Sequence, residues 1–227
     1  MRLTQITSDP LARVCAILLQ MRERYNPMRN SNFTYMLDAV NIRDHAKHFH
    51  ELATNAGITR GKILEIGGIK DRRVMSYFKD FDYLNLNLEN SQVLSTIIGD
   101  ITECKAILDD QSFDLIFSKD TFEHIARPQD AAREIVRLLK PGGLCYVVTV
   151  FAWRYHPFPA DYWRFSPEGL ALLFNGLKCI EKNFDTVERR KDVRGSYENN
   201  SDAVPVDELG GWRENWRVYY VGVKPVS

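Results

Sequence analysis

Apolar and polar positions change period several times along the 227-residue chain. Residues 9–25 place apolar side chains at helical spacing behind Asp9 and Pro10, a capping residue followed by a proline at the first helical position. Residues 26–33, rich in Asn, Pro and Ser, read as a loop, and the stretch 25–30 as a candidate lid. A second helix is expected over 34–56, stopped by Gly57 in the left-handed conformation. From there the pattern alternates. Strands are expected at 62–66, 83–88, 113–118 and 144–150, with helices at 72–79, 126–139 and 167–175. Residues 216–224 alternate as a final strand, expected to close one edge antiparallel to its neighbour. Strand–helix alternation with short links implies a mostly parallel sheet covered on both faces. The fold class is therefore α/β, doubly wound.

In such sheets ligands sit beyond the carboxyl ends of the strands, where the strand order reverses. The first strand ends in Ile63-Leu-Glu-Ile-Gly-Gly68, so its glycines fall at that rim. A dinucleotide fold uses Gly-x-Gly-x-x-Gly to seat a pyrophosphate. Ile69, Lys70, Asp71, Arg72 and Arg73 follow here instead, which argues against pyrophosphate. Glu65 suits a ligand bearing a cation or hydrogen-bond donors. Asn87 stands where a ribose-binding acid is expected, and Glu89 lies two positions on. In Gly99-Asp100-Ile101 the acid can accept from an exocyclic amine while Ile101 packs on a purine face.

Composition narrows the classes. Lys+Arg and Asp+Glu are equal at 30 each, which demotes nucleic-acid binding, since phosphate neutralisation supplies most of that affinity. Cys15, Cys104, Cys145 and Cys179 show no metal or disulfide spacing, which leads us to expect reduced thiols and a cytoplasmic location. No apolar run approaches the ~18 residues that cross a bilayer. His45, His48 and His50 lie on an expected helix without His-x-x-x-His spacing and are read as a solvated face, so no metal ligands are expected.

The residues following the fourth of these strands are unusual. Phe151-Ala-Trp-Arg-Tyr-His-Pro-Phe-Pro-Ala-Asp-Tyr-Trp-Arg-Phe165 gathers aromatics, bases and arginines in a loop that overhangs the sheet. His156, Asp161 and, from Phe122-Glu-His-Ile125, His124 are the candidate bases. Tyr155, Tyr162 and Trp163 are candidates for stacking on a sugar or ring, and Arg154 or Arg164 for holding a phosphate or carboxylate. The competing reading packs these aromatics against Trp212 and Trp216. For His124, a structural hydrogen bond competes with catalysis.

Taken in order, these motifs resemble the class I S-adenosylmethionine-dependent methyltransferases. Ile63-Leu-Glu-Ile-Gly-Gly68 is similar to the family's first motif and residues 83–89 to its ribose-binding strand. Gly99-Asp100-Ile101 is similar to its adenine turn. Ser112-Phe-Asp-Leu-Ile-Phe-Ser118 with Phe122-Glu-His-Ile125, then Leu138-Leu-Lys-Pro-Gly-Gly-Leu144, resemble the pieces that follow. The resemblance covers residues 60–175. It departs from the pattern at Ile69, in place of a third glycine, and at Asn87, in place of an acid.

The resemblance implies a seven-stranded Rossmann-like domain over 58–227, including the loop 151–166, behind a helical extension over 1–57. It implies S-adenosyl-L-methionine as cofactor. Glu65, Gly67 and Gly68 would face its methionine end, Asn87, Leu88 or Glu89 its ribose and Asp100 and Ile101 its adenine. Ser118 and Lys119 would line the site through their backbone. The activity expected is O-methylation of a small polar acceptor such as a sugar or glycan precursor. Transfer to nitrogen or to RNA or protein, or a catalytically silent cofactor-binding subunit, are the alternatives. A homodimer is compatible with all of these.

Overall fold

A computed structural model describes residues 40, 42, 44–68, 73–89, 95–153, 155–157, 159–191 and 212–226; for 73, 186–191 and 212–215 only the backbone is described. The helix expected at 9–25, the lid at 25–30, and the side chains of Arg154 and Trp212 lie outside the described residues.

Seven strands form one sheet in the order β3-β2-β1-β4-β5-β7-β6. They are β1 (Gly61–Ile66), β2 (Phe81–Asn87), β3 (Thr96–Ile98), β4 (Phe113–Lys119), β5 (Leu139–Ala152), β6 (Lys178–Lys191) and β7 (Trp212–Val223). β1 to β5 run parallel, whereas β7 is antiparallel to both of its neighbours. The helices are α1 (His45–Asn55), α2 (Arg73–Tyr77), α3 (Pro128–Leu138) and α4 (Pro167–Leu173). None of the described helices is long and apolar enough to cross a membrane.

The continuous apolar runs of the central strands follow from burial on both faces. Successive side chains of a strand point to opposite sides. Leu64, Ile116, Val147 and Tyr220 therefore join one core with Ile135 and Leu138 of α3 and Leu170 of α4. Their chain neighbours Ile63, Leu115, Phe117, Val148 and Tyr219 join a second core with Phe49 of α1 and Val74 of α2.

Three expectations are corrected. β7 is not an edge strand: Val218–Val221 is buried on both faces, so it needs a neighbour on each side, and the more polar β6 takes the edge. The helix expected over 34–56 begins only at His45. Asp44 caps it by accepting from Lys47 N–H at 3.1 Å, and Val40 is already extended, bridged to Asp185 of β6. Its end is as the glycine foretells: Gly57, at φ +78°, donates to Thr54 O while Ile58 donates to Ala53 O, so the last carbonyls are satisfied. The histidines of α1 are not all on a solvated face, because His45 is 5% exposed. Two smaller features escaped the sequence pattern. β3 is too short to show a period, and where the sequence suggests a helix starting near Thr102 the chain forms only a 3₁₀ turn, Cys104–Ala106.

His45 anchors a buried polar relay. Its Nε2 lies 2.9 Å from Asp185 Oδ2 and its Nδ1 2.8 Å from Tyr146 Oη, while His48 Nδ1 approaches the same phenol at 3.1 Å. Asp185 Oδ1 also accepts from Ile42 N–H at 2.8 Å. A neutral His45 that donates to Asp185 and accepts from Tyr146 satisfies every distance. Burial lowers its pKa, outweighing the opposing pull of Asp185.

Two outcomes are expected. Tyr146→Phe removes the shared hydroxyl and leaves the buried His45 Nδ1 unsatisfied, costing ~1–3 kcal/mol in urea denaturation. His45 stays neutral when folded but takes a proton when unfolded. Stability is therefore complete above the ordinary value of 6.5 and falls as pH drops below it, a decline that His45→Gln should flatten in the same assay.

Candidate active site

Because β1, β2, β4 and β5 are parallel, their carboxyl ends share one rim, and a cavity of about 1170 Å³ opens there. Strand order reverses at β1, which connects onward to β2 on one side yet pairs with β4 on the other. The cavity is larger than the ~300–1,000 Å³ usual for one ligand, leaving room for two side by side.

One half surrounds the glycine turn. Gly67 has φ +76°, and a Cβ on it would collide with the side chain of Thr121, whose hydroxyl bonds to Ile66 O at 3.2 Å and Lys119 O at 3.0 Å. A Cβ on Gly68 would strike Glu65 and Asn85. Glu65 is 6% exposed, lines the cavity and accepts a hydrogen bond from the Tyr83 phenol. Burial and that neighbouring carboxylate hold the phenol proton well above its ordinary pKa. Asn87 acts as a strap: its amide donates to Gly68 O at 3.3 Å and its carbonyl accepts from Leu88 N–H at 2.9 Å, tying β2 to the turn. Leu88, 63% exposed, and Glu89 continue the wall. Asp100 Oδ1 accepts from both the backbone and the hydroxyl of Thr102 at 2.8 Å, and Ile101 is packed into the core beneath. Lys119 lines the cavity. Ser118 does not: it is fully buried, with its hydroxyl turned to Ile66 O.

The other half lies under the loop after β5. Glu123 sits in a 3₁₀ turn, Phe122–His124, with a side chain that is 0% exposed. Its Oε2 accepts from Thr149 Oγ at 2.6 Å, while Oε1 has no hydrogen-bond partner among the described residues. Burial, reinforced by the charge of Asp120, pushes this carboxyl above the usual range. His124 and His156 meet edge to face, ring centres 4.9 Å apart, with Nε2 atoms 3.9 and 3.7 Å from Glu123 Oε1. His124 Nδ1 bonds to Ala160 O, and His156 Nδ1 lies 3.2 Å from Asp161 Oδ2.

Asp161 stands behind His156 and off the cavity wall. It is clasped by Arg164, which holds its carboxyl well below the ordinary range, and it also accepts the backbone N–H of His156 at 2.8 Å. Tyr162 lines the cavity, and its N–H, with that of Trp163, is taken up by Glu123 O. Trp163 donates its indole N–H to Ile125 O; Tyr155 is 74% exposed and off the wall. Part of the loop is packing, since Phe151 contacts Phe184 and Trp216.

Several wall residues escaped sequence reasoning. Asp120, at φ +50°, forms a two-pronged pair with Arg217 of β7 at 2.7 and 2.8 Å, and the guanidinium lies 4.7 Å from the ring centre of Trp153. Only the Lys119-Asp120 step at the end of β4 hinted at this; Arg217 is separated from it by 97 positions. Thr121 and His45 also reach the wall.

The turn half fits S-adenosylmethionine. It offers a carboxylate for an ammonium, backbone free of Cβ for close approach, and apolar Leu88 and Ile101 for a purine. A family model described as "Methyltransferase domain" matches residues 77–147. The sterol 24-C-methyltransferase of Aspergillus fumigatus is 31% identical over 127 residues, 48% of this chain; the chain spans only 32% of that relative's length. A putative sarcosine dimethylglycine methyltransferase from Galdieria sulphuraria superposes with a TM-score of 0.55 at 14% identity, over 79% of this chain and 85% of its own. Phosphoethanolamine N-methyltransferase 2 of Haemonchus contortus, solved with S-adenosyl-L-methionine, does so with a TM-score of 0.55 at 16% identity, over 82% and 54%. Residues 77–147 thus match a methyltransferase domain, and the sheet order with the glycine turn at its switch point is the Rossmann-like fold of these S-adenosylmethionine-dependent methyltransferases.

Proposed function

We propose that this chain methylates a hydroxyl oxygen of a small polar acceptor of the sugar or glycan-precursor class. One observation carries the reading: the Glu123–His124–His156 cluster faces the same cavity as the glycine turn. When bound, S-adenosylmethionine supplies a methyl group activated on a sulfonium, and sulfur keeps the bonding electrons as the methyl leaves. Glu65 and the Gly67-Gly68 backbone hold its amino-acid end, Asn87 and Glu89 the ribose edge, and Asp100 and Ile101 the adenine side.

A hydroxyl must lose its proton as its oxygen takes the methyl, and it must be held in line for that attack. The histidine–carboxylate cluster handles that proton. Asp161 and Ala160 fix the two rings so that both Nε2 atoms point at Glu123. Tyr162 offers an aromatic face and a hydroxyl to a sugar ring, and the Arg217–Trp153 stack closes the wall behind it. The cytoplasmic location expected from the thiols belongs to this reading; the described cysteines are free.

Calorimetry with S-adenosylmethionine and its demethylated product tests the first half, and absence of binding by either at high micromolar concentration would sink it. Gly67→Ala, which meets Thr121 and a positive φ, should weaken that binding by at least ~10-fold. His156→Ala should leave cofactor affinity within ~2-fold while lowering turnover on the responsive acceptor by ~10²-fold or more, the usual weight of a proton-transfer group. Mass spectrometry across a panel of hydroxylated and amine acceptors decides the atom; products methylated only at nitrogen would overturn the oxygen assignment.

A further inference from the structure

Glu123 presents a problem that the hydrogen bonds around it do not solve. Its side chain is 0% exposed, yet one carboxylate oxygen has no hydrogen-bond partner among the described residues. A buried carboxylate is costly unless a cation or donors compensate it. The cationic side chains nearby are committed elsewhere: Arg217 to Asp120 and Arg164 to Asp161. Two histidines instead point their Nε2 atoms at that oxygen from 3.7 and 3.9 Å, too long for hydrogen bonds. The three ligand-type atoms lie within 4.8 Å of one another.

We propose that Glu123 Oε1, His124 Nε2 and His156 Nε2 bind a divalent first-row transition ion on the acceptor wall of the cavity. The surroundings match what such ligands require. A metal-binding imidazole gives its other ring nitrogen to a carbonyl or carboxylate, which fixes tautomer and orientation. His124 Nδ1 has Ala160 O, and His156 Nδ1 has Asp161 Oδ2. Thr149 does the same for Glu123 by donating to Oε2, leaving Oε1 turned to the rings. Metal–ligand distances of ~2.0–2.2 Å place tetrahedral ligands ~3.4 Å apart, so the two histidine–carboxylate separations of 3.7 and 3.9 Å need to close by a few tenths of an ångström. The two-nitrogen, one-oxygen set favours Mn²⁺, Fe²⁺, Co²⁺ or Zn²⁺ over Mg²⁺, which prefers oxygen alone.

No sequence spacing announces the site. Glu123 and His124 are adjacent, and His156 arrives from beyond β5. The inference rests on the methyltransferase reading only for its purpose: with the ion bound, the cluster would handle the acceptor's proton through the metal and not as free imidazole bases, the ion gripping the hydroxyl and easing release of its proton to water.

The test uses the full chain, stripped with chelator and dialysed against Mn²⁺, Co²⁺, Zn²⁺ or Mg²⁺, with bound metal measured by mass spectrometry. About one equivalent of transition ion and little Mg²⁺ is expected, with a visible Co²⁺ spectrum altered on binding. Glu123→Gln and His156→Ala should each weaken Co²⁺ binding at least ~100-fold, and Asp161→Asn by ~10–100-fold. Circular dichroism and cofactor calorimetry show whether these variants remain folded. Wild-type protein that retains no ion, or folded Glu123→Gln and His156→Ala that bind as tightly as wild type, would overturn the site. Full turnover in chelator would overturn the ion's role but leave the methyltransferase reading intact. Failure to bind S-adenosylmethionine would sink that reading without touching the metal measurement.

Discussion

Everything at the rim depends on how β1 is clamped between β2 and β4. Ile66 pairs with Leu86 on one side and with Ser118 on the other, so three strands end level with one another. Gly67 then continues the ladder by donating to Leu86 O at 2.9 Å before the chain turns away. That register is enforced by burial on both faces: a slip of one residue would exchange the two core layers and expose each to the wrong helices. With the strand ends fixed, the backbone of the glycine turn, the Asn87 strap and Thr121 fall within reach of one another. The turn glycines are then required by packing as well as by ligand approach, since Thr121, Glu65 and Asn85 already occupy the space a side chain would need.

The antiparallel strand beside β5 closes the other side. β7 brings Arg217 beneath Trp153 and against Asp120, linking the end of β4 to the loop after β5 through one partly buried guanidinium. Asp120 sits in the left-handed region, which aspartate tolerates better than most residues, and the pairing over-determines it there. On the same face of the sheet, Tyr146 and Asp185 pin α1 through His45, so a helix that also lines the cavity is locked to the sheet. The polar groups of this fold thus act mostly as ties between elements far apart in the chain.

Charge is distributed around the acceptor wall with the same logic. Asp161 and Asp120 each carry an arginine, whereas Glu123 has none; its neighbours are two histidines with tethered Nδ1 atoms. Asp161, a candidate base by sequence, is spent on Arg164 and on orienting His156. Asn87, a candidate ribose ligand, is spent in part on holding the turn. In both cases a side chain that the sequence offered as a ligand contact is used to position its neighbours.

The sequence by itself determined the class of the fold and the position of the glycine turn that forms one half of the candidate site. The strands' two-sided apolar runs, the caps and the glycine stops are local features, and a parallel α/β sheet places the end of its first strand at the ligand rim whatever else varies. The ordered motifs between residues 60 and 175 carry that half, because each is read within a few positions of the chain. Tertiary structure alone decided the rest. Whether β7 lies at an edge or inside depends on the polarity of β6, a property of another strand. Whether a histidine is solvated, as expected for His45, depends on Asp185, 140 residues away. The meeting of Glu123, His124 and His156 depends on where the loop after β5 folds back, and no spacing in the sequence encodes it.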